Sequence, residues 1–155
     1  MGRIRISTYD LLGRLISVTD ALDRTTTYEY DADGRLTAVI GSDGTKQQYS
    51  YDLVGNMLAE QDGNGNITRY EYDLANQVIR KTDALGRVWR YRYDANNQLI
   101  GVSTPEGNLT EYAYDSAGQQ ISVSVNRILQ TSYQYDTSGN RLRMAEITVE
   151  TTYKN

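Results

Sequence analysis

Cysteine, histidine and phenylalanine are all absent from these 155 residues. Without cysteine there is no disulfide frame, no thiolate nucleophile and no sulfur-ligated metal. Without histidine the commonest general base and metal ligand is gone. Proline occurs once, at Pro105, and tryptophan once, at Trp89. No run approaches the roughly 20 apolar residues of a membrane helix, and the opening MGRIRISTYD holds no apolar signal region. Positive charge is not in excess, with 16 Lys and Arg against 20 Asp and Glu and a net charge of -4. A nucleic-acid backbone asks for a clustered basic surface, so it is not the expected partner. The length suits one ordinary domain. Few familiar catalytic constellations can be built from this alphabet.

What is abundant is tyrosine, with 14 residues, and its spacing is regular. Tyr-Asp recurs at Tyr9-Asp10, Tyr30-Asp31, Tyr51-Asp52, Tyr72-Asp73, Tyr93-Asp94, Tyr114-Asp115 and Tyr135-Asp136, every step being 21 residues. A second Tyr stands two places before six of the pairs, at Tyr28, Tyr49, Tyr70, Tyr91, Tyr112 and Tyr133; Ser7 takes that place in the first. Only Tyr153 falls outside the pattern. The chain is a tandem array. Each buried phenol in it needs a hydrogen-bond partner or water.

One unit divides into two short strands and two turns. The first turn is Asp-x-x-Gly, seen at Asp10 to Gly13, Asp31 to Gly34, Asp52 to Gly55, Asp115 to Gly118 and Asp136 to Gly139. Asp bonds its own backbone two residues on, and Gly accepts the left-handed conformation that ends such a turn. Asn76 and Asn97 replace that Gly after Asp73 and Asp94, and Asn is among the residues that best tolerate positive φ. The second turn is marked by Asp43-Gly44, Gly63-Asn64-Gly65, Leu85-Gly86 and Glu106-Gly107. Between turns lie runs of about six residues rich in β-branched and aromatic side chains, the signature of strands. Nothing keeps a helical period with caps. The expected fold is all-β, a continuous antiparallel meander of tandem 21-residue hairpins.

Alternation places the two Tyr of each pair on one face with Thr26, Gln47, Thr68, Trp89, Thr110 and Thr131, and puts Glu29 opposite. In the other strand it puts Ile16 with Val18, Ile100 with Val102, and Ile121 with Val123. Leu15, Leu36, Met57, Val78 and Leu99 follow the turn directly, where a bulge would bring them in too. Columns of Tyr and of aliphatics then run across the sheet, each cross-strand pair contributing roughly 0.2 to 1 kcal/mol. Seven units supply about 14 strands and span about 65 Å at about 4.8 Å per strand. Open sheets beyond about ten strands tend to curl or split. The sheet is therefore expected to curve and wrap, or to belong to a longer array. The last unit, 135–155, is degenerate. In the last two units Ile128 and Val149 replace the second-turn Gly, which reads as a boundary rather than a site.

Tyr-Asp-x-x-Gly-Arg-Leu at Tyr9 to Leu15 and at Tyr30 to Leu36, repeated with Tyr-x-Tyr-Asp every 21 residues, resembles the YD-repeat or Rhs-repeat family. The resemblance covers nearly the whole chain. That family occurs in bacterial Rhs proteins, wall-associated proteins, the B and C components of insecticidal toxin complexes, and teneurins. The resemblance implies a long hairpin sheet spiralling into a hollow β-shell, which in the toxin members encloses a C-terminal polymorphic toxin. It implies a secreted or cell-surface protein, of which this chain is a fragment without a signal peptide. The family's self-cleaving core with its Asp-Pro motif has no counterpart, since the only proline follows Thr104.

Four constellations invite a sharper reading. Asp62-Gly63-Asn64-Gly65-Asn66 has calcium-loop spacing with Asp73 twelfth, but Ile67 holds the sixth place, where such a loop needs Gly. The seven Tyr-Asp carboxylates recur identically, whereas acid/base catalysis needs two in unlike environments; turn formation explains them better. Trp89, Tyr91 and Tyr93 with Arg69, Arg90 and Arg92 could stack a sugar. Asn66-Ile67-Thr68 and Asn108-Leu109-Thr110 match glycosylation sequons. The expectation is one array over 1–155, a non-enzymatic structural module without metal or cofactor. Its partners are other repeats and an enclosed toxin domain, with edge-to-edge self-association from unpaired edge strands. The alternative is a carbohydrate- or cell-surface-binding module using the Tyr-rich face.

Overall fold

The computed structural model describes residues 5–146. All regular structure in that span is strand: β1 (Ile6–Tyr9), β2 (Leu15–Thr19), β3 (Thr25–Tyr30), β4 (Leu36–Ile40), β5 (Lys46–Tyr51), β6 (Met57–Gln61), β7 (Ile67–Tyr72), β8 (Val78–Thr82), β9 (Val88–Tyr93), β10 (Leu99–Ser103), β11 (Leu109–Tyr114), β12 (Gln120–Val125), β13 (Ile128–Tyr135) and β14 (Arg141–Glu146). Their hydrogen-bonded order is the chain order, and the fold is the expected antiparallel meander. Two compact units divide it, Met1–Tyr72 with Lys81–Gly86, and Asp73–Arg80 with Arg87–Asn155. Val149 and the rest of 147–155, in the degenerate final unit, lie outside the described residues.

In the first unit β3 pairs with β4 through Tyr28↔Val39, Glu29↔Ala38 and Tyr30↔Leu36. The partner of Tyr30 should be Thr37 if the ladder ran evenly. One residue is extra, and Thr37 is the bulge. The same slip occurs at Tyr9↔Leu15 and Tyr51↔Met57. In the second unit it recurs at Tyr93↔Leu99, Tyr114↔Gln120 and Tyr135↔Arg141. A bulge inserts one residue and reverses the alternation beyond it. Leu15 and Val18 therefore share the Tyr face, and Ile16, the extra residue, has no partner in the ladder and is 38 % exposed. The bulge brings Leu15, Leu36, Met57 and Leu99 opposite the Tyr of each pair, as expected, and leaves Ile16, Ile100 and Ile121 without partners in the ladder, so simple alternation does not pair them with Val18, Val102 and Val123. Val102 opposes Tyr91, and Val123 opposes Tyr112.

The middle of the opposite face carries small and polar residues such as Ala38, Ala59 and Gly101, with Ile40, Ile67 and Leu109 two places further along the ladder. Ala38 and Gly101 are the only fully buried residues among those described, and both stand eight places after their Tyr. Gly101 lies between Arg92 and Glu111 in register. An added Cβ there would sit 2.9 Å from the Arg92 guanidinium, which bridges to Glu111 at 3.1 Å. With so little fully buried, each unit is held by many half-covered cross-strand pairs rather than by a central core.

The sixth repeat closes differently from the five before it. Ile128 stands where the first five repeats carry a left-handed residue, and β12 passes to β13 through Asn126 and Arg127 alone, at φ 51° and 68°. Two consecutive left-handed residues make the two-residue hairpin turn that matches strand twist. The strand after it lengthens to eight residues, and the register slips between Val123 and Ser124 to restore the repeat.

Candidate functional site

The turns are one device used at both ends of the strands. At Asp31 the backbone N–H donates to the Arg35 carbonyl (3.0 Å), and the Gly34 N–H donates to the Asp31 carbonyl (3.1 Å). The Asp31 Oδ1 accepts the N–H groups of Asp33 and Arg35 at 3.0 and 2.9 Å, and Oδ2 accepts Arg35 Nε at 2.7 Å. This is a three-residue loop ending in a left-handed residue; Gly34 has φ 82°, and Asn76 and Asn97 reach 61° and 65° at the equivalent place. Asp10, Asp52, Asp73, Asp94, Asp115 and Asp136 hold their turns with the same Oδ1 contacts. Asp20 and Asp62 repeat it in the second turn. Asp62 entered the sequence reading only as a calcium-like spacing, and Asp20 and the contact made by the side chain four places after each Asp escaped it. Aligning the two turns of one unit against each other would have found them.

The hydrogen bonds explain the charge states. Donation from the Arg35 backbone holds the Asp31 carboxyl below its ordinary value. The Arg14 backbone does so for Asp10, and the Asn66 and Asn140 side chains do so for Asp62 and Asp136. An ionised carboxylate that accepts several N–H groups is stabilised in that form. At Asp62 these contacts satisfy the carboxylate within its own turn, which accounts for the calcium-like spacing without a cation.

The residue after the left-handed position reaches into the next repeat. Arg35 Nη1 donates to the Asp52 carbonyl at 2.7 Å, and its guanidinium lies 5.2 Å from the centre of the Tyr51 ring. Arg14 makes the same pair of contacts with Asp31 and Tyr30. Gln77 and Gln98 replace the arginine by amide donation to the Asn97 and Gly118 carbonyls, each at 3.1 Å. A cation over a ring adds about 0.5 to 1 kcal/mol at such partly open places.

The second Tyr of each pair has a single, repeated partner. Tyr30, Tyr51, Tyr72, Tyr93, Tyr114 and Tyr135 donate their hydroxyls to the carbonyls of Leu15, Leu36, Met57, Val78, Leu99 and Gln120, each fifteen residues earlier, at 2.8 to 3.0 Å. Those carbonyls adjoin the bulge, where the ladder is interrupted. Burial pushes the phenols of Tyr51, Tyr72, Tyr93 and Tyr114 up from their ordinary value. The first Tyr of each pair is less uniform: Tyr49 donates to Gln47 at 3.1 Å and Tyr70 to Glu60 at 2.7 Å. Trp89 is half-buried with the Arg87 guanidinium 5.7 Å from its ring centre, and Tyr91 and Tyr93 share its strand.

The arrangement is thus a positional lattice in which Asp, Tyr and the residue after the left-handed position do the same work in successive repeats. The teneurin YD-shell family pattern matches residues 4–150. The chain belongs to the teneurin YD-shell family. Among curated proteins none matches it. This YD-shell chain is similar in fold to the crystal structure of TcdB2-TccC3, at TM-score 0.75 and 23% identity over 90% of its length. TcdB2-TccC3-Cdc42 matches at TM-score 0.75 and 22% identity, also over 90% of the chain. The Photorhabdus luminescens Tc holotoxin pore matches at TM-score 0.72 and 23% identity over the same share. In each case the YD-shell chain spans 9% of the matched chain.

Proposed function

We propose that this YD-shell chain is a wall segment of a larger secreted β-shell that encloses a C-terminal toxin or equivalent cargo, and that it performs no chemistry of its own. The observation that carries the reading is the sameness of the repeats. Every turn Asp is consumed by its own turn, and every second Tyr by the neighbouring strand. A catalytic centre needs groups set apart by unlike environments, whereas this lattice spends its polar groups on joining one repeat to the next. The fold shared with segments of Tc toxin components supports the same reading. Among the described residues β1 and β14 each have one strand neighbour, so further repeats, or a second copy, would continue the sheet there.

The test is made on the parent protein. Its cargo segment should resist limited proteolysis while the shell is intact, and should become cleavable when residues 1–155 are deleted or two repeats are removed in register. Equal cleavage with and without the segment would refute enclosure.

A further inference from the structure

One column of the repeat carries charge in two units and apolar side chains in the rest. Nine residues after the Tyr of each Tyr-Asp pair stand Val18, Val39, Glu60, Lys81, Val102, Val123 and Met144. Val39 opposes Tyr28 and Gln47, which places the column on the Tyr face. Glu60 stands opposite Tyr49 on one side and Thr68 on the other, and is half-buried. Its Oε1 accepts the Tyr70 hydroxyl at 2.7 Å, its one polar contact among the described residues. Lys81 Nζ lies 5.9 Å from the centre of that same Tyr70 ring. A half-buried carboxylate forgoes the hydrophobic gain of the valine it replaces and adds desolvation. Five repeats fill the place with an apolar residue, so the fold does not require a charge there.

Beside Glu60 the Tyr face opens into a hollow of about 340 Å3, walled by Gln47, Tyr49, Glu60, Asn66 and Thr68. Its polar groups are unequally used. Tyr49 gives its hydroxyl hydrogen to Gln47 Oε1 at 3.1 Å, and Asn66 Nδ2 donates to Asp62 Oδ2 at 2.8 Å. Glu60 Oε2, Asn66 Oδ1 and the Tyr49 hydroxyl oxygen meet no donor among the described residues. Asp62 also lines the hollow and adds a second negative charge, while no described basic residue lines it. Surplus acceptors beside a negative charge and an aromatic ring suit a ligand that is positive and only donates. A guanidinium takes both oxygens of a carboxylate in a fork, and Oε1 is already engaged by Tyr70. A calcium ion asks for about six to eight oxygens, and the described residues hold no group of three acidic side chains able to grip a metal. An alkylammonium is a compact point charge with three donors, and one free carboxylate oxygen with a neighbouring amide oxygen serves it.

We propose that the hollow beside Glu60 is a primary-ammonium subsite, in which Glu60 Oε2 and Asn66 Oδ1 accept from the ammonium hydrogens and the Tyr49 ring flanks the cation. This goes beyond the enclosure reading and holds whether or not the parent shell contains cargo. The same group is carried by a lysine side chain of a polypeptide and by a free polyamine, and the recognising chemistry is common to both.

An NMR chemical-shift titration of the isotope-labelled 155-residue chain tests it. The probes are n-butylammonium, Nα-acetyl-lysine N-methylamide for the polypeptide source, spermidine for the polyamine source, and n-butanol as the uncharged control, all at one ionic strength. n-Butylammonium should give saturable shifts centred on Tyr49, Glu60 and Thr68 with a Kd of about 1 to 10 mM, and n-butanol should give none. Glu60→Val restores the residue of the column, so it should keep or exceed the parent's urea midpoint while binding about tenfold weaker or worse. Glu60→Gln keeps the shape without the charge and should lose a similar factor, and Tyr49→Leu should weaken binding about two- to fivefold. Tighter binding of the lysine analogue assigns the site to a polypeptide and tighter binding of spermidine to a polyamine, and either result upholds the ammonium subsite. No saturable shift with any of the three amines would overturn the proposal. So would undiminished binding by Glu60→Val, binding of n-butanol as strong as that of the amine, or a preference for Nα-acetyl-arginine N-methylamide over the lysine analogue.

Discussion

Removing one hydroxyl tests whether the second tyrosine holds the array or merely fills it. In β11, Tyr112 and Tyr114 lie on the same face two residues apart. Tyr114 donates to the Leu99 carbonyl at 2.9 Å, whereas the Tyr112 hydroxyl makes no such bond among the described residues. Tyr114→Phe keeps the ring and leaves a half-covered carbonyl beside a bulge without its donor. A net hydrogen bond of this kind contributes about 0.5 to 1.5 kcal/mol. With a urea slope of about 2 kcal/mol/M, a loss of about 1 kcal/mol lowers the unfolding midpoint by about 0.5 M with the slope unchanged. Tyr112→Phe should move it by less than about 0.2 M, since nothing polar is orphaned. Tyr93→Phe and Tyr135→Phe remove the equivalent bonds four strands apart, a separation of about 19 Å, so their effects should add. Urea titration followed by far-ultraviolet circular dichroism reads all of these. Equal midpoints for Tyr114→Phe and Tyr112→Phe would refute the reasoning.

The turn aspartates and the buried phenols set the limits of pH stability. Carboxyls held low in the fold, at Asp10, Asp20, Asp31, Asp62 and Asp136, contribute fully above their unfolded value of about 3.9 and lose that contribution as pH falls through their folded values. Phenols raised by burial contribute fully below about 10 and lose it as pH rises through their folded values. With no histidine in the chain, urea midpoints should be flat between about pH 5 and 9 and fall on both sides; a step near neutrality would contradict this. At the two-residue hairpin, Arg127 carries φ 68°, a conformation that strains a side-chain-bearing residue by about 1 kcal/mol. Arg127→Gly should therefore raise the thermal midpoint, and a fall would show that the arginine side chain holds the turn.

Much of this protein could be read from its residues because its information is local. The 21-residue period set the number and order of strands, since an Asp-x-x-Gly turn closes within five residues whatever lies around it. The Tyr-Asp pattern was specific enough to name the family before any coordinate. Which side chains share a face was only partly legible: the Tyr columns followed from alternation and a bulge after the turn was expected, but where the alternation breaks was not, because one extra residue shifts the register in six of the repeats. Whether a bulge forms is decided by the neighbouring strand, not by the strand's own sequence. The partner of each tyrosine hydroxyl was likewise hidden, being a backbone carbonyl that any residue would supply. Glu60 stood in the sequence as one unremarked letter. Only the register, which sets it opposite Tyr49 and Thr68 within reach of Tyr70, turned it into the place where the repeat departs from itself.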